Sequence, residues 1–352
     1  MTPASATRLE AGERIVVRAP NWLGDAVMAL PALGALRAAF PSASIAIVAI
    51  PSVAPIFEEL TPAAQDEIIS LPDARNEASI LRAGRFDTAV LFPNSFRSAW
   101  VARQAGIGRR WGYGGGLRGW LLTNAVPSPS GRVHQSVYYL ELIRRLGFAA
   151  ADATPHIQVT PETRRRSADL LQRVGVAPGT PIVGMAPGAA YGHAKRWPPS
   201  RVADVVAHLH ARGAACLLVG AAPDREAGRA IESSLPAGIQ PVNLIGRTDL
   251  RLLAGLLASC HAFVSNDSGA MHLAAAVGVP VAALFGPTDE RVTSPLGDHD
   301  ILIHQVFCRP CMLRDCPIDH RCMKGITSDA VVAAVSRRLD AYAAVMPRPE
   351  HG

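Results

Sequence analysis

The chain has 352 residues, of which 49% are hydrophobic and 18% are charged, a composition that excludes a disordered chain and allows two domains of ordinary size. The net charge of +6 favours anionic partners. Aromatic residues make up only 5% of the sequence and do not alternate with basic runs, so we expect no nucleic-acid partner.

The first half of the chain alternates strand-like and helix-like segments. The predicted strands are Arg14 to Ala19, Ser44 to Ile50, Glu67 to Leu71 and Thr88 to Phe92. The predicted helices are Asp25 to Ala39, Ser52 to Leu60, Ala74 to Ala83 and Ser95 to Ala105. This repeated βαβ pattern is typical of a parallel sheet covered by helices.

The middle of the chain changes in composition. Gly108 to Gly119 is rich in glycine and arginine, and His134 to Leu146 has the pattern of a helix. Ala149 to Thr160, with Pro155 inside it and Pro161 after it, is typical of a connection between domains.

The βαβ pattern then begins again. The second set of predicted strands is Ile182 to Ala186, Ala215 to Val219, Val242 to Ile245, Ala262 to Ser265 and Val281 to Phe285. The helices between and around them are Ser200 to Ala211, Asp224 to Ser234, Leu250 to Ala258 and Ala270 to Val277. Two such patterns in tandem predict an α/β protein with two Rossmann-like parallel-sheet domains that face each other across a cleft.

The N-terminus has no apolar core of the signal-peptide kind. Glycine and proline break the apolar stretches before they reach the length of a membrane span. We therefore expect a cytoplasmic protein, with peripheral attachment to a membrane as one option.

The junction between the strand at Ala262 and the helix that follows it is polar. It contains Asp267, Ser268 and Gly269 and runs on to His272. The first amides of a helix have no partner within the helix and its dipole favours negative charge, so Ser268 and Gly269 can present N–H groups to a phosphate. Ordinary helix capping is the alternative.

Asp25 follows the first strand, after Trp22, Leu23 and Gly24. It is either a helix cap or a general base, because a carboxylate beside apolar groups has the raised proton affinity that suits base catalysis. The segment after this strand has neither the glycine fingerprint of dinucleotide-binding folds nor a P-loop.

Two further strand ends carry charged residues. Lys195 and Arg196 lie in a glycine-rich loop after the strand at Ile182, where they suit either a diphosphate or solvent. Asp224 and Glu226 follow the next strand, as ribose ligands or as ordinary surface charges.

The six cysteines fall into two groups. Cys216 and Cys260 lie in apolar runs and are expected to be buried thiols. The other four surround His320 in one short segment, which could hold a structural zinc ion or contain reduced thiols: Cys308, Cys311, Cys316 and Cys322. A reducing compartment disfavours disulfides there.

Several ordered motifs together resemble those of the bacterial ADP-heptose:lipopolysaccharide heptosyltransferases, and most of all the heptosyltransferase II branch. They are Asn21 to Asp25, Pro187 to Ala189 with Lys195 to Pro198, Gly220 to Gly228, Ser265 to His272, Phe285 to Thr288 and the cysteine segment. The likeness runs in the same order from about Arg14 to the C-terminal helix.

The resemblance implies an inverting GT-B glycosyltransferase that moves L-glycero-D-manno-heptose from ADP-heptose to the first inner-core heptose of lipopolysaccharide. It implies that Asp25 deprotonates the acceptor and that Lys195 holds the diphosphate, with no cofactor needed for catalysis. It assigns to the donor and its nucleotide Gly188, Arg196, Asp224, Glu226, Thr248, Leu250, Asp267, Ser268, Gly269 and His272.

The acceptor carries phosphate and acidic sugars, so basic residues of the first domain are candidate contacts. The basic candidates are Arg97, Arg109 and Arg110, with Arg118 as a further one, and Asn21 is a polar candidate. By the same resemblance the protein works on the cytoplasmic face of the inner membrane.

The expected domains are an acceptor-binding domain over residues 1–160 and a donor-binding domain over 161–327 that includes the cysteine loop 308–322. A C-terminal helix over 328–352 follows, and one option is that it packs back on the N-terminal domain. Alternatives to the heptosyltransferase II activity are heptosyltransferase I or III, another GT-B transferase, and a nucleotide-sugar-binding protein without catalysis.

Overall fold

The structure is a computed structural model that describes residues 12–345. The chain divides after Gln158 into two compact units, which we call the first and the second unit. The division falls inside the connection expected between Ala149 and Thr160.

The first unit contains a six-stranded parallel sheet in the order β3-β2-β1-β4-β5-β6. Its central strands are buried, as the near-continuous runs of Val, Ile and Ala predict for a sheet covered on both faces. The strands are β1 Arg14–Arg18, β2 Ser44–Ala49, β3 Glu67–Ser70, β4 Thr88–Leu91, β5 Arg109–Tyr113 and β6 Asn124–Val126.

Helices connect these strands, as βαβ crossovers require. They are α1 Leu23–Met28, α2 Leu30–Ala39, α3 Glu77–Ala83, α4 Phe96–Gln104 and α5 Gln135–Arg145. Three short 3₁₀ segments complete the unit: Ala54–Glu58, Ala74–Asn76 and Gly116–Leu121.

The second unit contains a parallel sheet in the order β12-β11-β10-β7-β8-β9. Counted from its own first strand, this is the order of the first sheet, and both sheets have the Rossmann arrangement. The strands are β7 Ile182–Ala186, β8 Ala215–Leu218, β9 Val242–Asn243, β10 Ala262–Asn266, β11 Val281–Phe285 and β12 His299–Ile303.

The helices of the second unit are α6 Pro161–Arg173, α7 Pro199–Ala211, α8 Arg225–Ser233, α9 Leu250–Ala258, α10 Gly269–Ala276, α11 Glu290–Thr293, α12 Arg321–Lys324 and α13 Ser328–Val345. Two 3₁₀ segments, His193–Lys195 and Ala222–Asp224, lie in the loops after β7 and β8. Among residues 12–345, no helix has the length and apolar character needed to cross a bilayer.

Two predicted helices of the first unit differ in the structure. The helix expected from Asp25 to Ala39 is broken at Ala29 into α1 and α2, because Pro31 in the first turn of α2 has no N–H to continue the helical ladder. The helix expected from Ser52 to Leu60 is a short 3₁₀ segment that contains Pro55.

Helix α13 belongs to the core of the second unit. It packs against α7 and against strands β10, β11 and β12. Its buried side chains join that core, among them Val331, Ala334, Val335 and Leu339. Packing of the C-terminal segment 328–352 on the N-terminal domain stays a prediction.

Candidate active site

Each sheet has one point where the strand order reverses, between β1 and β4 in the first unit and between β7 and β10 in the second. Loops at such a point diverge to opposite faces of the sheet, which leaves a crevice beyond the carboxyl ends of the strands. The candidate residues after β1, β7 and β10 follow strands next to these two points.

Asn266 holds the crevice of the second unit together. Its side chain is buried, and its Nδ2 donates to the carbonyl oxygens of Pro187 at 2.8 Å and Gly188 at 3.2 Å. Its Oδ1 accepts a hydrogen bond from the backbone N–H of Trp197 at 3.2 Å. One amide side chain thus fixes the loop after β7 to the end of β10, a role that sequence reasoning did not assign to it.

Lys195 and Asp267 form a buried ion pair across this crevice. The Nζ of Lys195 lies 2.6 Å from Oδ2 of Asp267 and 3.4 Å from its backbone oxygen, and their side chains are 11% and 6% exposed. The hydroxyl of Thr288 donates to the same Oδ2 at 2.7 Å. The sequence singled out both charges but not their pairing, and it did not single out Thr288.

The amino end of α10 lies next to this pair. Ser268 is its N-cap in extended conformation, and within the described residues its side chain makes no capping hydrogen bond to the helix. Its Oγ lies 3.0 Å from that of Ser265 instead. The first amides of α10 therefore keep their capacity to bind an anion, and the predicted capping by Ser268 is not seen.

His272 lies one turn into α10 and is buried. The resemblance places His272 in the donor site, where it would either steady the junction or contact phosphate, and its buried position favours the first.

The two carboxylates after β8 differ in exposure. Asp224 is mostly buried, accepts a hydrogen bond from the Ala221 N–H at 3.1 Å and lies 3.6 Å from Nη2 of Arg196. A Cβ added at Gly188 would overlap its carboxylate, so Gly188 permits a close approach between the two loops. Glu226 is exposed at the start of α8 and is the accessible candidate for ribose hydroxyls.

Thr248 and Leu250, expected near adenine, lie at the start of α9 and are half-buried. Asp249 between them caps the helix by accepting from the Leu252 N–H at 2.7 Å. This capping hydrogen bond fixes the conformation of the segment from Thr248 to Leu250.

Asp25 lies in the first turn of α1, and Trp22 occupies the N-cap position, so Asp25 is not the cap of this helix. The hydroxyl of Tyr139, on α5, donates to Oδ1 of Asp25 at 3.0 Å. Burial raises the pKa of Tyr139 far above its usual value, and the neighbouring Asp25 charge adds to this rise. Tyr139 therefore remains a neutral donor to the carboxylate at physiological pH.

A cavity of about 260 Å³ opens beyond the carboxyl ends of β1 and β4. Arg18 and Glu77 are buried in its wall and form an ion pair at 2.8 Å. Asn21 accepts from Nη2 of Arg18 at 2.9 Å, and Arg97 reaches to 3.7 Å from Glu77. Two predicted acceptor residues thus line one cavity, together with a buried ion pair that the sequence did not reveal.

Arg109 and Arg110 do not join this group. They begin β5, and Arg109 pairs with Thr88 at the start of β4, so both lie at the amino edge of the parallel sheet. Arg109 bonds Thr88 Oγ1 at 2.9 Å and contacts Glu13, while Arg110 bonds the Leu121 carbonyl at 2.6 Å. Because Arg109 and Arg110 lie where β5 begins, they are at the edge of the sheet opposite to the one that bears Asn21 and Arg97.

Arg118 follows β5 and is buried. Its Nη1 donates to Asn94 Oδ1 at 3.1 Å, whereas Nε and Nη2 have no hydrogen-bond partner among residues 12–345. Burial lowers the pKa of Arg118. Its guanidinium lies inside the unit rather than at its surface.

The cysteines are free thiols. Cys216 and Cys260 are buried as expected, and burial raises the pKa of each to about 12. Burial also raises the pKa of Cys322, and the nearby thiols Cys308, Cys316 and Cys311 raise it further. Over the described part of the chain, no three His, Cys, Asp or Glu side chains are arranged to hold a metal ion.

The chain thus has two Rossmann-type sheets. A lysine, a carboxylate and a helix amino end lie where the strand order of one sheet reverses, and a carboxylate lies near the reversal in the other. This arrangement is typical of one class of enzyme, the glycosyltransferases of the GT-B fold. The sequence agrees, since residues 76–321 match glycosyltransferase family 9 (heptosyltransferase). The chain belongs to this heptosyltransferase family.

Curated relatives and a solved structure agree with this assignment. Lipopolysaccharide heptosyltransferase 2 of Escherichia coli K12 is 33% identical over 306 residues, which cover 80% of this chain and 85% of the relative. Lipooligosaccharide heptosyltransferase 2 of Haemophilus influenzae is 31% identical, over 83% and 88% of the two chains. The structure of E. coli ADP-heptose LPS heptosyltransferase II superposes with a TM-score of 0.80 and 29% identity, and the match covers 94% and 99% of the chains.

These comparisons confirm the resemblance seen in the sequence, the α/β GT-B fold class and the glycosyltransferase activity. They support the heptosyltransferase II branch within the family. The roles of individual residues remain proposals.

Proposed function

We propose that the protein transfers L-glycero-D-manno-heptose from ADP-heptose to the first inner-core heptose of lipopolysaccharide, with inversion at the anomeric carbon. The observation that carries this proposal is the Lys195–Asp267 pair at the amino end of α10, in a chain that belongs to the heptosyltransferase family. A cation and a helix amino end side by side suit a diphosphate.

In the donor site, Lys195 and the amides of Ser268 and Gly269 would bind the diphosphate of ADP-heptose. The lysine ammonium has three N–H donors, of which two are directed at Asp267, and it also lies 4.7 Å from the centroid of the Tyr191 ring. The third donor is the one proposed for a phosphate oxygen. As the bond between the anomeric carbon and the phosphate oxygen breaks, negative charge grows on ADP. These groups stabilise that charge without having to reorganise.

The nucleotide part of the donor would extend towards α8 and α9. Glu226 is the exposed carboxylate available to ribose hydroxyls, and Thr248 to Leu250 border the space for adenine. Asp224 and Arg196 would support the conformation of the loop at Gly188 rather than bind the nucleotide directly. Their side chains already lie close to each other, and the Asp224 carboxylate lies against Gly188 and accepts the Ala221 N–H.

Asp25 would act as the general base. The acceptor hydroxyl oxygen forms the new bond to the anomeric carbon, its proton passes to the Asp25 carboxylate, and ADP leaves with the electron pair of the broken bond. Tyr139 keeps the other lobe of the carboxylate oriented through its 3.0 Å hydrogen bond. The acceptor oxygen attacks the anomeric carbon from the face opposite the departing phosphate, so the configuration at that carbon is inverted.

The cavity lined by Asn21 and Arg97 is the candidate site for the acceptor core sugars and their phosphates. Since lipopolysaccharide precursors are amphiphilic, we also propose that the enzyme works peripherally on the cytoplasmic face of the inner membrane. Arg109 and Arg110 are left out of this site because of their position at the opposite edge of the sheet.

Product analysis tests the proposal. Purified protein is incubated with ADP-heptose and with lipopolysaccharide acceptors that carry zero, one or two heptoses. The masses of the products are measured by mass spectrometry. We expect one heptose to be added only to the one-heptose acceptor. Extension of the zero-heptose or the two-heptose acceptor alone would indicate a heptosyltransferase I or III activity instead.

A structural zinc ion at the four-cysteine segment stays a prediction. The buried Nε2 of His320 has no hydrogen-bond partner in the described chain, which suits a metal ligand, but the thiols around it are not arranged as a ligand set. The reaction proposed above involves no step through a metal. Metal analysis of protein purified without a histidine tag decides the matter, because the absence of stoichiometric zinc or iron would remove the idea.

A further inference from the structure

Four large apolar side chains on two adjoining elements of the first unit are exposed to solvent. Phe96 and Trp100 on α4 are 50% and 43% exposed, and Leu117 and Trp120 on the adjoining 3₁₀ segment are 64% and 83% exposed. Helix α4 and this segment pack against each other. We call these four residues the aromatic surface.

Packing inside the unit does not explain this exposure. The inner side of α4 buries Ala99, Val101 and Ala102, so the helix is already anchored to the sheet. Phe96 and Trp100 stack on each other, with ring centroids 6.2 Å apart and an interplanar angle of 15°. The chain contains only five tryptophans, and two of them belong to this surface. Exposed large apolar side chains concentrated on two elements that pack together mark an interaction site.

The charge around the aromatic surface is positive. Helix α4 contains Arg97 and Arg103, both exposed, and its sequence has no acidic residue. Arg103 lies close enough to Arg110 for its charge to lower the pKa of Arg110, after the larger effect of burial. Tryptophan side chains bordered by arginines suit the interface of an anionic bilayer, where indole rings lie among the head groups and guanidinium groups pair with phosphates.

The aromatic surface is continuous with the candidate acceptor cavity. Ser95, Arg97 and Ser98, at the amino end of α4, line that cavity, while Phe96 and Trp100 occupy the outer side of the same helix turns. An acceptor anchored in a bilayer by its acyl chains presents its sugars just above the head groups. Docking through α4 would therefore bring the cavity to the sugars.

We propose that the aromatic surface docks this enzyme on an anionic phospholipid bilayer. The lipid-anchored acceptor and the peripheral location rest on the proposed function, whereas the choice of docking surface rests on the exposed side chains and their charges. The indole and phenyl rings enter the interface, and Arg103 adds electrostatic attraction.

The test is sedimentation of the full chain with vesicles of phosphatidylethanolamine and phosphatidylglycerol, without donor or acceptor. We expect the double substitution Trp100→Ser/Trp120→Ser to weaken binding at least roughly tenfold, since two interfacial rings are lost. Arg103→Gln should weaken it about fivefold on these vesicles and hardly at all on neutral phosphatidylcholine. Phe307→Ser is the matched control, because Phe307 is an exposed ring (80%) of the second unit.

Vesicle binding by the double variant equal to that of the wild type would overturn the proposal, as would a lack of binding by the wild type. A dimer in sedimentation equilibrium that the double substitution disperses would assign the surface to a second copy instead. Transfer to a deacylated acceptor should proceed at the wild-type rate in the double variant. Failure of the wild type itself to transfer heptose would contradict the proposed function and leave the vesicle result standing.

Discussion

At the scale of single residues, Asp25 is the carboxylate whose surroundings suit proton transfer. It receives the hydrogen bond of a buried tyrosine, and Trp22 takes the N-cap position of its helix. The tyrosine is neutral because ionisation would add a second negative charge in a buried place. The hydrogen bond therefore keeps the Asp25 carboxylate in a fixed orientation.

The Asp25→Asn substitution should abolish base catalysis and preserve the shape of the site. We expect heptose transfer to fall by about 10²- to 10⁴-fold, the range typical of a general base, while ADP-heptose still binds. Turnover measured by ADP release and donor affinity measured by calorimetry check the two parts. Near-normal turnover would show that Asp25 is not the base.

Tyr139→Phe is the companion variant, because it removes only the hydroxyl that donates to Asp25. Loss of a hydrogen bond that favours the carboxylate should move the acid limb of the kcat/KM profile to higher pH. An unchanged pH profile would assign Tyr139 a packing role alone.

Lys195→Ala should weaken both donor binding and turnover, because it removes the cation proposed for the diphosphate. It should also destabilise the protein, since the buried Asp267 carboxylate would lose its ion-pair partner and retain the hydrogen bond from Thr288. The loss expected for breaking a buried pair is about 3–5 kcal/mol. Donor affinity and the free energy of unfolding in urea are the two measurements.

The double variant Lys195→Met/Asp267→Asn separates these effects. It removes both charges, so stability should recover over that of Lys195→Ala while donor binding stays weak. Recovery of donor binding together with stability would mean that Lys195 acts through folding and does not contact the diphosphate.

At the scale of the elements, the loop after β7 depends on the absence of a side chain at Gly188. In Gly188→Ala the added methyl group would displace the Asp224 carboxylate, which holds the Ala221 amide. We expect a loss of about 1–3 kcal/mol in stability and a higher KM for the donor. Gly115→Ala is the control, since no described atom lies within 4 Å of its added Cβ. Equal behaviour of the two variants would contradict the role given to Gly188.

The amino edge of the second sheet contains a half-buried histidine, His261, whose titration makes the stability of the protein depend on pH. Nδ1 of His261 accepts a hydrogen bond from the Ile182 N–H at 2.9 Å, and burial lowers the pKa of this imidazole. As the pH falls below about 6.5, the usual value for histidine, the unfolded chain takes up a proton that the folded chain does not. Folding therefore becomes less favourable in acid.

His261→Asn keeps a hydrogen-bond acceptor near this position and removes the titration. We expect its free energy of unfolding to fall less than that of the wild type between pH 7.5 and pH 5.5. Urea denaturation at the two pH values measures the difference. Parallel losses in both proteins would show that His261 does not contribute.

Elements with continuous apolar runs were predictable from the sequence, and elements with mixed composition were not. Strand β5 contains two arginines and a glycine, β12 begins with His299 and Asp300, and α6 is dominated by charged residues. Neither strand has the continuous apolar pattern of a buried strand, and the buried face of α6 contains two small polar residues, Thr163 and Ser167, beside Leu171. Contacts across the fold define them: α6, for example, is tied to α9 by the 2.7 Å pair of Arg166 and Asp249.

The same limit applies to the candidate site. Asp25, Lys195 and Asp267 were found because each follows a predicted strand next to a reversal of strand order. Tyr139 and Thr288 were missed, because each reaches its partner from another element that sequence spacing does not connect. The ends of strands can be predicted from the sequence, but the partners Tyr139 and Thr288 can be identified only once the fold is known.

At the scale of the whole molecule, the repeated strand order explains why the candidate residues fall into two groups. Each unit has its own reversal point and its own set of polar side chains beyond it. The first unit offers a carboxylate and a cavity with arginines, and the second offers a cation and a helix amino end. Two separate groups of polar residues suit a transferase that binds two chemically different substrates.

The strand order also has a consequence for how the protein is made. The central pairing of each sheet joins distant parts of the chain, Ile15 with Thr88 in the first unit and Val183 with Ala262 in the second. Such non-local parallel pairing closes slowly and leaves apolar strands uncovered until the later strand arrives. On the ribosome, β1 must therefore wait for β4 and β7 for β10, and we expect each unit to need protection from aggregation until its later strand has been made.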